Sequence, residues 1–391
     1  MRRFEDAVAV TGIGQSAVGR RLGPSGVALT VDAALAAIGD AGLAVADLDG
    51  VATFPGESAD PGFAGCGVWE LRDALDLRLE WFVGAPQTSG QLGTFIDACM
   101  AVACGLATHV LCFRTVCESS AQGAAGRADV MASQLVATDW RRWLAPFGAP
   151  SAANWIALYA QRHFDRFGTR REALGAIACN ARANAGRNPR AIFRDPLTLD
   201  DYLAARMIST PLCLYDCDIP VDGSTAVIVS ARERAADAHH RGVNVEAVGC
   251  GLCTPFAWDQ IDGLDGMAAS GAADMLWRRT DLRPADVDVA ELYDGFSILA
   301  LAWIEALGFC AVGEGGPFVE GGERIALDGA LPLNTQGGQL SGGRLHGYGM
   351  LHEAVVQLRG AGADRQVPGR PETAVVSAGG GPFAGCLLLT R

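Results

Sequence analysis

This chain is short of charge, and of positive charge above all. Charged residues make up 19% of its 391, with 31 Lys and Arg against 44 Asp and Glu and a formal net charge of −13. Nucleic-acid phosphates are held by clustered Lys and Arg, so this balance excludes a nucleic-acid partner. A CoA ester needs only a local basic patch and stays admissible. Long apolar runs are missing too. The longest, Phe95 to Phe113, is broken by Asp97 and His109 and reads as a buried helix followed by a strand rather than a membrane span. Met1-Arg-Arg-Phe-Glu-Asp has no apolar core of signal-peptide kind behind it, so no signal peptide is expected. Twelve cysteines scattered through apolar segments suit a reducing cytoplasm. Cys250-Gly-Leu-Cys253 has neither a second pair nor histidine ligands, so it reads as core and no metal is expected. Tyrosine is scarce, with five in the whole chain.

What abounds is apolar residues, at 50%, and glycine, at 50 residues. That composition suits a compact α/β enzyme, and 391 residues exceed one core, so two linked domains are expected. The chain repeats itself. Asp6 to Gly14 and Val243 to Gly251 each read as a strand entering a glycine turn. An amphipathic helix follows each, Val31 to Ala41 and Met267 to Arg278, then turns of nearly the same letters, Ala46-Asp-Leu-Asp49 and Ala285-Asp-Val-Asp288. The halves close alike on Ala226 to Ser230 and Cys386 to Thr390. Two copies of one α/β unit are therefore expected, residues 1–235 and 236–391, joined through the charged, Ala-rich stretch Ala231 to Gly242. An insertion without sustained period, about Glu118 to Pro150, interrupts the first half and holds Trp140-Arg-Arg-Trp143.

Between Asn334 and Gly349 six of sixteen residues are glycine, threaded with Arg344, His346 and Tyr348. Such a loop cannot fill a core. It serves where the backbone turns through positive φ or comes close to something. It feeds the helical run Met350 to Arg359, whose first N–H groups face an anion or a polarised carbonyl oxygen.

Three segments carry a family likeness: Glu291-Leu-Tyr-Asp-Gly-Phe-Ser297, Gly343-Arg-Leu-His-Gly347, and Ser377-Ala-Gly-Gly-Gly381. They resemble the Asn-Glu-Ala-Phe or His-Asp-x-Phe, Gly-His-Pro-x-Gly and Cys-x-Gly-Gly-Gly elements of sterol-carrier-protein (lipid-transfer) thiolases. Tyr159-Ala-Gln-Arg-His-Phe, Asn188-Pro-Arg-Ala, Ser209-Thr-Pro-Leu-Cys and Asp222-Gly-Ser-Thr-Ala-Val extend the likeness over nearly the whole chain. It implies a thiolase fold, two pseudo-repeated halves in a five-layered α-β-α-β-α body, and a homodimer.

The departures point to the function. Where thiolases carry the nucleophilic Cys of Cys-x-Ser-Gly, this chain has Gln87-Thr-Ser-Gly90. The second thiolase cysteine falls on Ser377, and the histidine on or beside Arg344. Thiolysis needs a thiolate to take the acyl group. Ser89 has no evident base beside it. The scaffold still offers an oxyanion site, which serves any reaction that breaks the Cα–Cβ bond of an acyl-CoA. With a β-hydroxyl present no nucleophile is needed. A base removes the hydroxyl proton, a ketone or aldehyde departs, and the enolate is reprotonated.

The pattern resembles thiolase-like lipid-transfer-protein aldolases of steroid side-chain degradation, which lack the Cys and carry a Tyr in both loops. The resemblance implies a retro-aldol lyase acting on a 17-hydroxy steroid side-chain CoA and releasing a 17-ketosteroid and propionyl-CoA. It implies no cofactor beyond the CoA thioester substrate. It also implies a partner, the OB-fold domain of an acyl-CoA hydratase subunit, in a heterotetramer or larger assembly. Tyr293 and Tyr348 become candidate proton carriers, with His346 as base, orienter or structural hydrogen-bonding group. Gly347, Gly380, Gly381 and Ser377 are candidates for the thioester oxyanion site. Gln87, Ser89, Arg344, Arg141 and Arg142 are candidate substrate or CoA contacts. Asp294 either joins them, orients Tyr293, or caps the helix beginning at Phe296, and the cap is favoured. His352 and Glu353 are expected behind the site or on the helix surface. Two other readings stay open: a thiolase or acyltransferase with a displaced nucleophile such as Cys99 or Cys386, and a silent acyl-CoA-binding subunit.

Overall fold

The computed structural model describes residues 3–58, 60–122, 141–237, 239–254 and 256–391. Its strands are β1 (Val8–Gln15), β2 (Gly50–Thr53), β3 (Trp81–Gly84), β4 (His109–Cys117), β5 (Met207–Ser209), β6 (Leu212–Cys213), β7 (Asp222–Ala231), β8 (Val243–Leu252), β9 (Val289–Glu291), β10 (Thr373–Gly379) and β11 (Phe383–Thr390). β5 and β6 form a small hairpin of their own, and the other nine run β3-β2-β4-β7-β1-β8-β11-β10-β9. From the centre outward, β1-β7-β4-β2-β3 matches β8-β11-β10-β9. Where β3 lies beside β2, Leu333 makes a lone parallel bridge to Ala290 of β9. The two units meet edge to edge, Ala9 opposite Asn244 and Val10 opposite Val243. One continuous sheet thus joins what the sequence presented as separate halves.

Strand alternation sorts this sheet into layers. Val51, Leu111, Phe113 and Ile228 face helix α1 (Gly26–Ala41) through its Ala33 and Ala37. On the opposite face, Val110, Cys112, Val227 and Val229 meet helices α2 (Gly93–Ala103) and α4 (Gly347–Arg359). Those helices also cover Val376, Leu387 and Leu389 of the second half. Val375 and Leu388 face outward onto α3 (Ala268–Trp277) and the helices Ala152–Phe167, Arg171–Gly186 and Ser297–Ala306. That is the α-β-α-β-α order the resemblance implied. Each fully buried Leu or Phe in these layers contributes about 1.5–3 kcal/mol.

The glycines read as turns prove to lie inside strands. A Cβ on Gly12 or Gly14 would fall 2.3 Å from the Ala37 carbonyl oxygen or 2.2 Å from that of Ala33. Gly249 and Gly251 are pressed in the same way, each 2.0 Å from a carbonyl of α3, those of Ala272 and Ala268. In both halves a bare strand lets a helix backbone settle directly on it. Of the insertion, Glu118–Ala121 and Arg141–Leu144 are short helical turns, and residues 123–140 lie outside the described residues.

Candidate active site

The segments after β9 and β10 and the glycine loop before α4 are tied together by hydrogen bonds. Asn334 accepts from the Leu292 N–H at 2.7 Å and donates to its carbonyl at 2.9 Å. Ser377 Oγ accepts the Tyr293 N–H at 2.9 Å. Asp294 Oδ1 accepts the Gln339 N–H at 2.8 Å, and Gln339 Oε1 accepts the His346 N–H at 3.1 Å. Gly338 must be glycine, because its Cβ would lie 1.9 Å from Asp294 Oδ2. His346 stands at the N-cap of α4 with φ 56°, a conformation that costs a non-glycine residue about 1 kcal/mol or more and aims its ring inward.

Charges gather around this knot. Arg344 donates from Nε to Glu118 Oε2 at 2.7 Å and from Nη1 to Asp218 Oδ1 at 2.9 Å. Burial alone would weaken its charge, but Asp218 and Glu118 outweigh that and hold it fully protonated. Arg114, on β4, is wholly buried. Its guanidinium lies 4.5 Å from the Phe63 ring centre and 5.6 Å from that of Phe54, and Phe63 meets the His346 ring edge-on at 5.2 Å. Burial and the two guanidinium groups push the His346 imidazole well below its ordinary pKa, so it rests neutral, and Nδ1 has no partner. Burial, with Asp218, raises the half-buried Tyr293 phenol, and Arg344 opposes the rise. Tyr348 is wholly buried with its Oη 3.3 Å from Thr94 Oγ1, and burial raises its phenol well above the usual range. Both tyrosines therefore rest as phenols.

Several sequence-derived placements change. Gly380 does not offer a free N–H: it donates to the Phe383 carbonyl at 3.0 Å and closes the β10–β11 turn. Gly381 is wedged against Trp258, where a Cβ would fall 2.1 Å from the ring, and Ser377 is engaged with Tyr293. Gly347, in the first turn of α4, does sit at the knot, with Ala378 2.5 Å from where its Cβ would be. Asp294 does not cap the helix Ser297–Ala306, which starts from Phe296 without a side-chain cap; it caps the glycine loop instead. Burial pushes its carboxyl up to about 7. Gln87 and Ser89 line a separate groove with Cys250, Leu252, Phe256 and Phe383. Arg344 is engaged by two carboxylates rather than open to a phosphate. Arg142 is exposed and stacks over Trp143 at 5.8 Å, while the Arg141 side chain lies outside the described residues. Of the two placements open to Glu353, behind the site or on the helix surface, the structure has the buried one, against Thr335, Gln357 and Arg365. Cys99 and Cys386 are wholly buried and their thiols are pushed up, which withholds the thiolate that a displaced nucleophile requires.

Sequence reasoning missed Glu118 and Asp218, and above all Arg114. The signal for Arg114 was one charge inside the buried strand run His109–Cys117.

The thiolase C-terminal domain-like family matches residues 256–388. A steroid side-chain-cleaving aldolase of Thermomonospora curvata is 35% identical over 98% of this chain and 97% of its own length. A 17-hydroxy-3-oxo-4-pregnene-20-carboxyl-CoA lyase of Mycobacterium tuberculosis is 33% identical, covering 97% of this chain and 98% of its own. A solved structure, "Ltp2-ChsH2(DUF35) aldolase", superposes with a TM-score of 0.86 at 33% identity, over 98% of both chains. Fold, loops and relatives together place the chain in the thiolase superfamily, within its sterol-carrier-protein branch, to which it belongs.

Proposed function

We propose that this chain is a retro-aldol carbon–carbon lyase acting on a β-hydroxyacyl-CoA, with a 17-hydroxy steroid side-chain thioester as the leading substrate. One observation carries the reading: proton carriers and cations converge where α4 begins, and the thiols that could replace the missing nucleophile are buried and protonated. The chemistry follows from the resting forms. His346, neutral with Nδ1 unbonded, takes the β-hydroxyl proton only in passing, because burial and the Arg114 and Arg344 guanidinium groups disfavour its imidazolium, and it hands that proton on to the phenol that serves Cα. The oxygen forms a C=O bond, the Cα–Cβ pair moves into the thioester as an enolate, and a phenol, Tyr293 with Tyr348 behind it, protonates Cα. A ketone and a shortened acyl-CoA leave, with no oxidant, reductant or free CoA consumed, so the scheme needs no cofactor beyond its substrate.

The same reading includes a homodimer and a second subunit with an OB-fold domain, acting in the cytoplasm. The exposed edge strand β3, with Phe82 meeting the Trp69 ring edge-on at 4.9 Å, supports a self-association surface. A two-component name on the solved aldolase structure supports the second subunit. No helix among the described residues is long and apolar enough to cross a membrane.

The test incubates the protein, with and without the proposed partner, with a β-hydroxyacyl-CoA bearing a tertiary hydroxyl. Expected products are the ketone and a short acyl-CoA, formed without added CoA and lost in Tyr293→Phe and Tyr348→Phe. Binding without cleavage across several acyl chains would assign a silent binding subunit. A covalent acyl-enzyme blocked by iodoacetamide would assign a thiolase.

A further inference from the structure

An oxyanion site built from glycine N–H groups is what the loops promised, and several of those donors are engaged. Gly380 donates to Phe383, Gly349 to His346, Gly337 to Asn334 and Gly342 to Gly337. With these engaged, a further donor at the site would strengthen the hold on the enolate oxygen.

Arg114 is such a donor, buried and facing the same layer. Val110 and Cys112, the alternate residues before it on β4, face the central layer that holds Tyr348 and α4, and Arg114 is next on that face. It is wholly buried, and only Nη1 is engaged, to the Thr115 carbonyl at 3.0 Å; Nε and Nη2 have no partner. Glu118, the carboxylate whose charge reaches it, is itself bonded to Arg344 at 2.7 Å. A buried guanidinium with two idle nitrogens is costly to fold around, and its neighbours are Glu118, Tyr293, Arg344 and Tyr348, with the Phe63 ring that touches His346 lying across it. From this we infer that Arg114 is a further catalytic residue, whose free Nε–H and Nη2–H meet the thioester oxygen as it becomes the enolate oxygen, once the Phe63 ring gives way to substrate. The role assumes the retro-aldol reading above; the presence of an anion site at Arg114 does not.

Arg114→Met separates function from structure. If Arg114 serves the fold, the Met variant loses melting temperature. If it serves the enolate, removal of an unpaired buried charge leaves the melting temperature unchanged or higher. In that case kcat falls about 100-fold or more with KM within about threefold. Should the Met variant fold poorly, Arg114→Lys decides: it keeps the charge, loses the planar donor pair, and is expected to lose about tenfold in kcat. A Met or Lys variant with wild-type kcat overturns the inference. Binding of S-carboxymethyl-CoA, whose carboxylate stands in for the enolate oxygen, supplies the second readout. It is expected to weaken at least about tenfold in the Met variant. Arg114-dependent binding by a wild type that cleaves nothing would end the aldolase reading and leave this site standing. Cleavage unaffected in the variants would do the reverse.

Discussion

The pseudo-repeat places a helix start at the same centre twice. α2 begins after Gln87-Thr-Ser-Gly90, and α4 after Arg344-Leu-His346. Both press on the end of β10: Ala378 lies 2.8 Å by its carbonyl oxygen from a Cβ on Gly90, and 2.5 Å by its own Cβ from one on Gly347. Equivalent positions carry opposite chemistry. The start of α2 bonds mainly to itself, Thr88 Oγ1 to the Gly90 carbonyl at 2.9 Å, and borders an apolar groove. The start of α4 collects a neutral imidazole, two guanidinium groups, two carboxylates and the phenols. In the retro-aldol scheme proposed above, a reaction can therefore run from one helix start alone, with the proposed acid–base groups beside α4 and no nucleophile beside α2.

This asymmetry is open to direct attack, and the largest effect is expected at Tyr293. Tyr293→Phe should lower kcat by about 10²- to 10⁴-fold with the melting temperature near wild type, since only the hydroxyl is removed. A variant that keeps its rate would take proton transfer away from the α4 side.

Next comes the charge framework. Arg344→Met leaves Glu118 and Asp218 without their counter-charge in a buried place, so unfolding by urea should show a loss of about 3–5 kcal/mol. Restoring stability with Asp218→Asn in the same chain would confirm the electrostatic cause. Indifference to Arg344→Met would mean the triad is incidental.

A pH effect follows. The Asp294 carboxyl titrates at about 7 when folded, against an ordinary 3.8, because burial disfavours its charge. The folded state thus holds this proton more tightly than the unfolded one. Its contribution is complete at the acid end and disappears as pH rises towards about 7. Asp294→Asn should leave stability flatter with pH than wild type between those values and raise it at neutral pH. Parallel curves for the two proteins would show that Asp294 does not titrate there.

How much of this was legible in the sequence depended on whether a feature repeats locally. The halves could be read because strand, helix and Ala-Asp-x-Asp turn recur in order, and the structure places β2 and β9 directly after those turns. The glycine loop stood out by density alone. Gly12, Gly14, Gly249 and Gly251 were noticed but misread as turns, because letters do not say that a helix backbone lies 2 Å from the missing Cβ. Glu118 and Asp218 come from segments far apart in the chain, and a single acid in a loop has no period. Arg114 left a trace: it is the one charged residue inside the buried strand His109–Cys117, and a charge set within a buried strand marks a site rather than a boundary.

The smallest expected effect tests the comparison from its quiet side. Ser89→Ala and Gln87→Ala alter the approach to α2, where thiolases keep their nucleophile. If that helix start is chemically silent, each variant should stay within about twofold of wild-type kcat and KM, the range of substitutions that remove no buried partner. Ser89 has one complication, since its hydroxyl lies beside the Cys250 thiol in the shared groove. Removing it changes a contact between the two halves without touching His346, Tyr293 or Arg344. A rise in KM at constant kcat would place part of the acyl group in the groove and leave the chemistry where it is. A tenfold or greater fall in kcat would put a reacting atom at Ser89, and the proposed separation of the two helix starts would fail.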